Sequence, residues 1–329
     1  MMRINPDSRI SQMLAAIPSE LVAEQWKFRI TDIISEFPNL KHGIIELREN
    51  PYTDQVDLML CILRNELATK FFDEEKSFDS KNFDHKYPDV SSFLEYWHDE
   101  KKFLNSLLSN IYVVFDINNP LEEDIKPWIY LAFKKLAFPP DIYLTLFLNS
   151  AEFLPYKFPP QSIPILLKTM EKAKDEIFVF GFGLLNQRGE DKLRIGIQDF
   201  KKITSISTYL IECGWEGETD SMIRKVSFLD EFCVDFVLSL KISNHIEAEI
   251  GIECNLSKMG NFESARKILS YMAKHFEYNP NRANAILNWL NPESYDSNLA
   301  FRWLNHIKFV YENGSIKAFK PYLYFEFFE

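Results

Sequence analysis

Apolar and polar residues alternate with a period of two in about ten short stretches, and stretches with helical spacing fall between them. The first half predicts a helix over Ser19–Phe37, stopped at Pro38, and strands over His42–Arg48 and Gln55–Leu63. Lys70–Asp89 reads as solvated loop. A helix over Val90–Asn110 then leads into strands at Ile111–Ile117 and Trp128–Lys135. Five prolines interrupt Phe138–Gln161, where Ile142–Leu148 fits a strand or a helix equally.

The second half repeats the order. Helices are predicted at Ser162–Lys174, Phe200–Cys213, Asp220–Phe228, Phe262–Phe276 and Asn281–Leu290. Strands are predicted at Glu176–Asn186, Lys192–Gln198, Cys233–Ile242, Ile246–Asn255, Asn305–Tyr311 and Lys317–Phe328. Gly214 is placed to end a helix, and Asn313-Gly314 is the strongest hairpin turn in the chain. Each hairpin follows one or two helices and no Gly/Ser-rich linker divides the repeats, so residues 1–329 read as one α/β (α+β) domain.

Strand side chains alternate between faces, so each strand can be split by parity. In the last strand Phe319, Leu323, Phe325 and Phe327 oppose Lys320, Tyr322, Tyr324 and Glu326. Leu193, Ile195 and Ile197 oppose Lys192, Arg194 and Gln198. Ile250, Ile252 and Cys254 oppose Glu249, Gly251 and Glu253. Helices need the aliphatic faces to cover their apolar stripes. The polar-aromatic faces then point into a shared interior if the strands close into an antiparallel barrel, which also removes unprotected sheet edges. An open sheet would turn those faces to water instead.

Composition narrows the classes. The net charge of −11 argues against a nucleic-acid partner held by its phosphates. No apolar run approaches a membrane span and the first residues lack a signal-peptide core, which makes the cytoplasm the default expectation. Cys61, Cys213, Cys233 and Cys254 show no zinc spacing; buried, reduced thiols are expected. Phe180-Gly181-Phe182-Gly183 lacks the dinucleotide fingerprint and reads as strand glycines that make room for packing. His306 is expected to be a hydrogen-bonded strand histidine, with a catalytic base as the alternative.

A barrel of about ten antiparallel strands ringed by helices, in repeated α-β-β-α order, resembles the ABBA or PT-barrel fold of aromatic and peptide prenyltransferases. The pattern spans nearly the whole chain, and Lys320-Pro321-Tyr322 looks like the family's inward Lys-x-Tyr. The resemblance implies that Lys192, Arg194 and Lys320, with Lys134, Lys241 and Lys308, bind an isoprenoid diphosphate. It also implies that Tyr130, Tyr322 and Tyr324 shield an allylic cation from water, leaving an aromatic small molecule or a peptide side chain as acceptor. Glu46, Asp57, Glu249 and Glu253 are the inward acids placed to take the acceptor's proton.

Asp116, Asp235, Glu247 and Glu326 add to the acids on the inward parity. That excess fits Mg²⁺ beside the diphosphate, a cationic peptide acceptor, a non-catalytic protein holding a basic peptide in an acidic lumen, or another peptide-tailoring enzyme.

Overall fold

A computed structural model of the chain describes residues 9–37, 41–50, 53–63, 84–98, 107–118, 121, 125–134, 139–152, 154, 159–173, 177–185, 190–258, 260–276, 278–291 and 300–327. Ten strands close a barrel in which each pairs antiparallel with its sequence neighbours, and the last pairs with the first. They are β1 (His42–Asn50), β2 (Thr53–Leu63), β3 (Leu108–Ile117), β4 (Trp128–Phe133), β5 (Phe178–Leu184), β6 (Leu193–Phe200), β7 (Asp235–Ile242), β8 (Ile246–Asn255), β9 (Ala300–Glu312) and β10 (Ser315–Phe327). Helices stand before and between the hairpins: α1 (Arg9–Ala15), α2 (Glu24–Ser35), α3 (Pro88–His98), α4 (Pro140–Glu152), α5 (Ile163–Lys172), α6 (Ile203–Cys213), α7 (Thr219–Val226), α8 (Asn261–His275) and α9 (Pro280–Leu290).

The parity split survives in three dimensions. Leu193, Ile195, Ile197, Ile250, Ile252, Leu323 and Phe325 are buried in one core with helix residues such as Ile206, Leu210, Ile268 and Leu269. That core lies between barrel and helices. A separate, smaller cluster of Val114, Trp128, Tyr130 and Leu185 sits apart from it, with Met59, Tyr112 and Phe180 against it. Burying a large aliphatic side chain contributes roughly 1.5–3 kcal/mol, so the outer faces carry the fold and release the inner faces for polar groups.

Local details follow the sequence closely in the second half. Gly214 closes α6 with φ +83°, and Asn313 and Gly314 turn the last hairpin with φ +47° and +75°. The glycines of β5 and β6 make room as expected. A Cβ on Gly183 would meet the Trp128 ring, and one on Gly196 would meet Phe180 and the Tyr130 hydroxyl.

Several expectations are corrected. The helix foreseen at Ser19–Phe37 begins only at Glu24, because Leu21 and Val22 fold back onto the Pro18 carbonyl in a turn, and a further helix, α1, precedes it. The helix foreseen to Asn110 runs from Pro88 to His98, and Leu108–Asn110 already belong to β3; residues 99–106 lie outside the described residues. Most of the 70–89 loop also lies outside them, although 84–86 form a helical turn. Ile142–Leu148 is helical, within α4, where Pro140 occupies the first turn rather than interrupting it. Phe200 ends β6 instead of opening a helix.

Cys233 and Cys254 form a disulfide, not two thiols. The Val234 N–H bonds to the Asn255 carbonyl, which brings their Cα atoms to 5.5 Å. Cys61 and Cys213 are free and buried. Among the described residues no helix is long and apolar enough to cross a membrane.

Candidate active site in the barrel lumen

Strand register sorts the inward side chains into levels along the barrel. Glu46 of β1 lies opposite Asp57 of β2 and Tyr322 of β10, and Tyr322 lies opposite His306 of β9. Lys320 lies opposite Lys308, which in turn faces Glu253 of β8. Arg194 of β6 lies between Gly183 and Lys241. These levels bound two cavities that share Arg194.

The larger cavity, about 680 Å³, is cationic. Arg48, Lys126, Arg194, Lys241, Lys308, Lys317 and Lys320 line it, against Asp116 and Glu249. Lys241 pairs with Glu249 at 3.2 Å. Arg48 pairs with Asp57 and, at 3.2 Å, with Asp116. Lys320 Nζ donates to Glu46 at 2.8 Å, and Lys308 Nζ to Glu253 at 3.0 Å. Arg194 Nε donates to Ser239 Oγ at 3.2 Å. Among the described residues no carboxylate pairs with Arg194, Lys126 or Lys317, which leaves a net positive bowl.

The smaller cavity, about 340 Å³, is aromatic with a few polar groups. Tyr112, Trp128, Tyr130, Phe180 and Tyr322 supply rings; Glu46, Glu253, Gln198, Asn255 and His306 supply polar atoms. Tyr130 leans on Tyr112 and Phe180 with centroids 6.3 and 5.9 Å apart, and Tyr322 stacks on His306 at 3.9 Å.

Electrostatics follow from burial and these pairs. Burial would raise the Glu46 carboxyl, but Lys320, Arg194 and a Tyr322 hydrogen bond overcome it and hold the group well below the usual range. Glu253 is likewise lowered: burial opposes, while Lys308, His306 and Arg194 prevail. Burial, together with the Arg194 charge, brings Lys308 down to about 8. Asp57 goes the other way: burial and the Glu46 and Asp116 charges push it up to about 7, against the pull of Arg48. Burial lowers the His306 imidazole despite Glu253.

The residues foreseen from sequence divide clearly. Arg194, Lys241, Lys308, Lys320 and Glu249 line the cationic cavity, and Glu46, Glu253, Tyr130 and Tyr322 line the aromatic one. Asp57 is completely buried beneath Arg48 and lines neither. Lys134 follows the end of β4 and is exposed, because that strand stops at Phe133. Lys192 precedes β6 and is engaged by Glu190 and Glu247. Tyr324 bonds His42 and stacks on Trp303, outside both cavities. Sequence reasoning missed Arg48, Lys126, Lys317 and Tyr112, and put Gln198 on the polar face without giving it a role. Arg48 shares Glu46's parity and Tyr112 shares Asp116's, so both were within reach.

Comparison with solved structures agrees with this architecture. A 6-dimethylallyl tryptophan synthase superposes with a TM-score of 0.58 at 9% identity, covering 96% of this chain and 94% of that one. A 6-dimethylallyltryptophan synthase from Micromonospora olivasterospora, in complex with DMASPP and Trp, gives 0.59 at 8%, covering 97% and 96%. AnaPT from Neosartorya fischeri gives 0.53 at 12%, covering 97% and 91%. No protein-family model and no curated protein matches the sequence. The ten-stranded closed barrel, the ring of helices and these superpositions together show that the chain has the ABBA, or PT-barrel, fold.

Proposed function

We propose that the chain transfers a prenyl group from an isoprenoid diphosphate to an aromatic or peptide acceptor inside the barrel. One observation carries the reading: a cationic bowl adjoins an aromatic cavity, and Arg194 lines both. The bowl suits a departing diphosphate, since preorganised cations stabilise charge that develops on the leaving group. The ring-lined cavity suits what remains, because aromatic faces stabilise an allylic cation and keep water from it. In the step itself the bond from C1 of the donor to its diphosphate oxygen breaks, and both electrons leave with the diphosphate. The acceptor bonds C1, and its proton passes to a carboxylate, Glu46 or Glu253. The structural neighbours named as dimethylallyltryptophan synthases carry chemistry of this class.

The excess of inward acids noted in the sequence does not oppose this. Glu46, Asp57, Asp116, Glu249 and Glu253 each pair with a lysine or arginine, so they position cations rather than cancel the bowl. The same pairing leaves a poor fit for Mg²⁺. We therefore assign charge neutralisation to the side chains, and expect donor binding to persist in EDTA.

Thermal shift with dimethylallyl or geranyl diphosphate, with and without Mg²⁺, tests the reading. Stabilisation of several degrees supports it. Arg194→Ala and Lys320→Ala should abolish that shift. No shift with either diphosphate sinks the proposal.

A further inference from the structure

Behind the wall of the cationic bowl, one sealed carboxylate meets more acids than cations. Asp57 is 0% exposed and lies opposite Glu46 of β1 and Asp116 of β3. The charges that act on it are Arg48 and Glu46 from β1 and Asp116 from β3, one cation against two further acids. Glu46 is itself engaged by Lys320 of β10, at 2.8 Å. The Arg48 guanidinium is divided three ways. Its Nε donates to Asp57, its Nη2 to Asp116 at 3.2 Å and its Nη1 to Asn118 Oδ1 at 3.0 Å. Arg48, Asp116 and Asn118 line the bowl, whereas Asp57 lines neither cavity.

Three neighbouring carboxylates do not all ionise readily when the innermost is cut off from water, because burial and like charges both favour the protonated acid. Asp57 accordingly titrates at about 7, near neutrality, against the pull of Arg48. An anion in the bowl and an ionised Asp57 therefore compete for one guanidinium. We propose that Asp57 gates the bowl: protonated, it leaves Arg48 to add its charge to the anion site, and ionised, it cancels that charge from behind. Affinity for a diphosphate group then falls as pH rises, and by linkage a bound anion draws a proton onto Asp57. The gate rests on the bowl being an anion site, as the transferase reading takes it to be, but on no transfer step.

Sulfate is the probe, because its charge stays constant near neutrality whereas that of a diphosphate does not. Its binding to the full chain is followed by calorimetry for the wild type and for Asp57→Asn, which keeps the shape of the neutral acid. Between about pH 5.5 and 7.5 the wild-type affinity is expected to fall about two- to three-fold more than the variant's. At the upper limit the wild type should take up about half a proton more than the variant on binding. The comparison removes the contribution of Lys308, which also lines the bowl and loses its proton at about 8. Infrared spectra of the wild type alone should show the carbonyl band of a protonated carboxyl growing as sulfate is added at the same pH. That measurement decides the matter even if the variant does not fold. Parallel pH profiles, equal proton uptake, a carbonyl band that does not grow, or no sulfate binding at all overturns the gate. Prenyl transfer from dimethylallyl diphosphate is assayed separately. No transfer with the gate intact defeats the transferase reading alone, whereas transfer with parallel profiles defeats the gate alone.

Discussion

The two cavities of the lumen share a wall yet handle charge in opposite ways. In the aromatic cavity the two lining carboxylates, buried Glu46 and half-buried Glu253, are each matched by a lysine, at 2.8 and 3.0 Å. In the cationic bowl the cations outnumber the acids, and Arg194, Lys126 and Lys317 have no carboxylate partner among the described residues. A buried charge needs its partner, because leaving it alone in a low dielectric costs several kcal/mol. A charge at the open end is still solvated and can wait for a ligand. The difference teaches that the acids in this barrel serve mainly to hold cations in place, while the unmatched cations mark where an anion belongs.

Arg194 is the sharpest place to break that division. Arg194→Ala should lower kcat/KM for prenyl transfer by roughly 100- to 1,000-fold, the loss expected for a cation at a developing charge. Because no carboxylate among the described residues forms an ion pair with Arg194, thermal stability should move little; a large fall in Tm would recast it as structural. Gly196→Ala attacks the other cavity, where the new Cβ meets Phe180 and the Tyr130 hydroxyl. Acceptor affinity should fall about ten-fold with donor binding intact, at about 1–3 kcal/mol of stability from overpacking. Equal loss of both ligands in calorimetric titrations would show that the cavities are not separate.

Asp57 sets a smaller, pH-dependent effect. Its folded pKa, about 7, lies above the ordinary value of 3.8, so between those limits the folded state holds a proton that the unfolded chain has lost. Its contribution to stability is therefore greatest at the acid end and falls as pH rises from about 4 to 7. Denaturation of Asp57→Asn across that window should lack this decline relative to the wild type; parallel curves would refute the assignment. Lys317→Ala at the bowl's exposed rim should be mildest, weakening diphosphate binding about two- to five-fold at low salt and less at high salt. An effect as large as that of Arg194→Ala would erase the distinction between rim and wall.

Much of this was legible before any coordinates. The alternation in Lys192–Gln198, Ile246–Asn255 and Lys317–Phe328 identified inner and outer faces correctly, and Asn313-Gly314 marked its hairpin. Less was legible about the site. Lys134 and Lys192 carry the right parity but stand beyond the ends of β4 and β6. Tyr324 shares a strand and a face with Tyr322, yet it lies one level too far along the barrel and packs on Trp303 instead. Asp57 faces inward and is sealed beneath Arg48, a neighbour two strands of unremarkable sequence bring together. The Cys233–Cys254 bridge was also hidden, since 21 residues of separation say nothing of how closely a hairpin draws its ends.

By itself, then, the sequence determined where the strands lie to within their ends, which side chains share a face, and that one face of each strand is aliphatic while the other is polar and aromatic. These are local properties, set by pleating every second residue and by the need to bury aliphatic faces under helices. Only the tertiary structure decided the height of each side chain along the barrel. Height depends on the stagger between ten paired strands, a global quantity that closure imposes and no single strand encodes. That stagger parts the lysines of the bowl from the rings of the cavity and seats Arg194 between them.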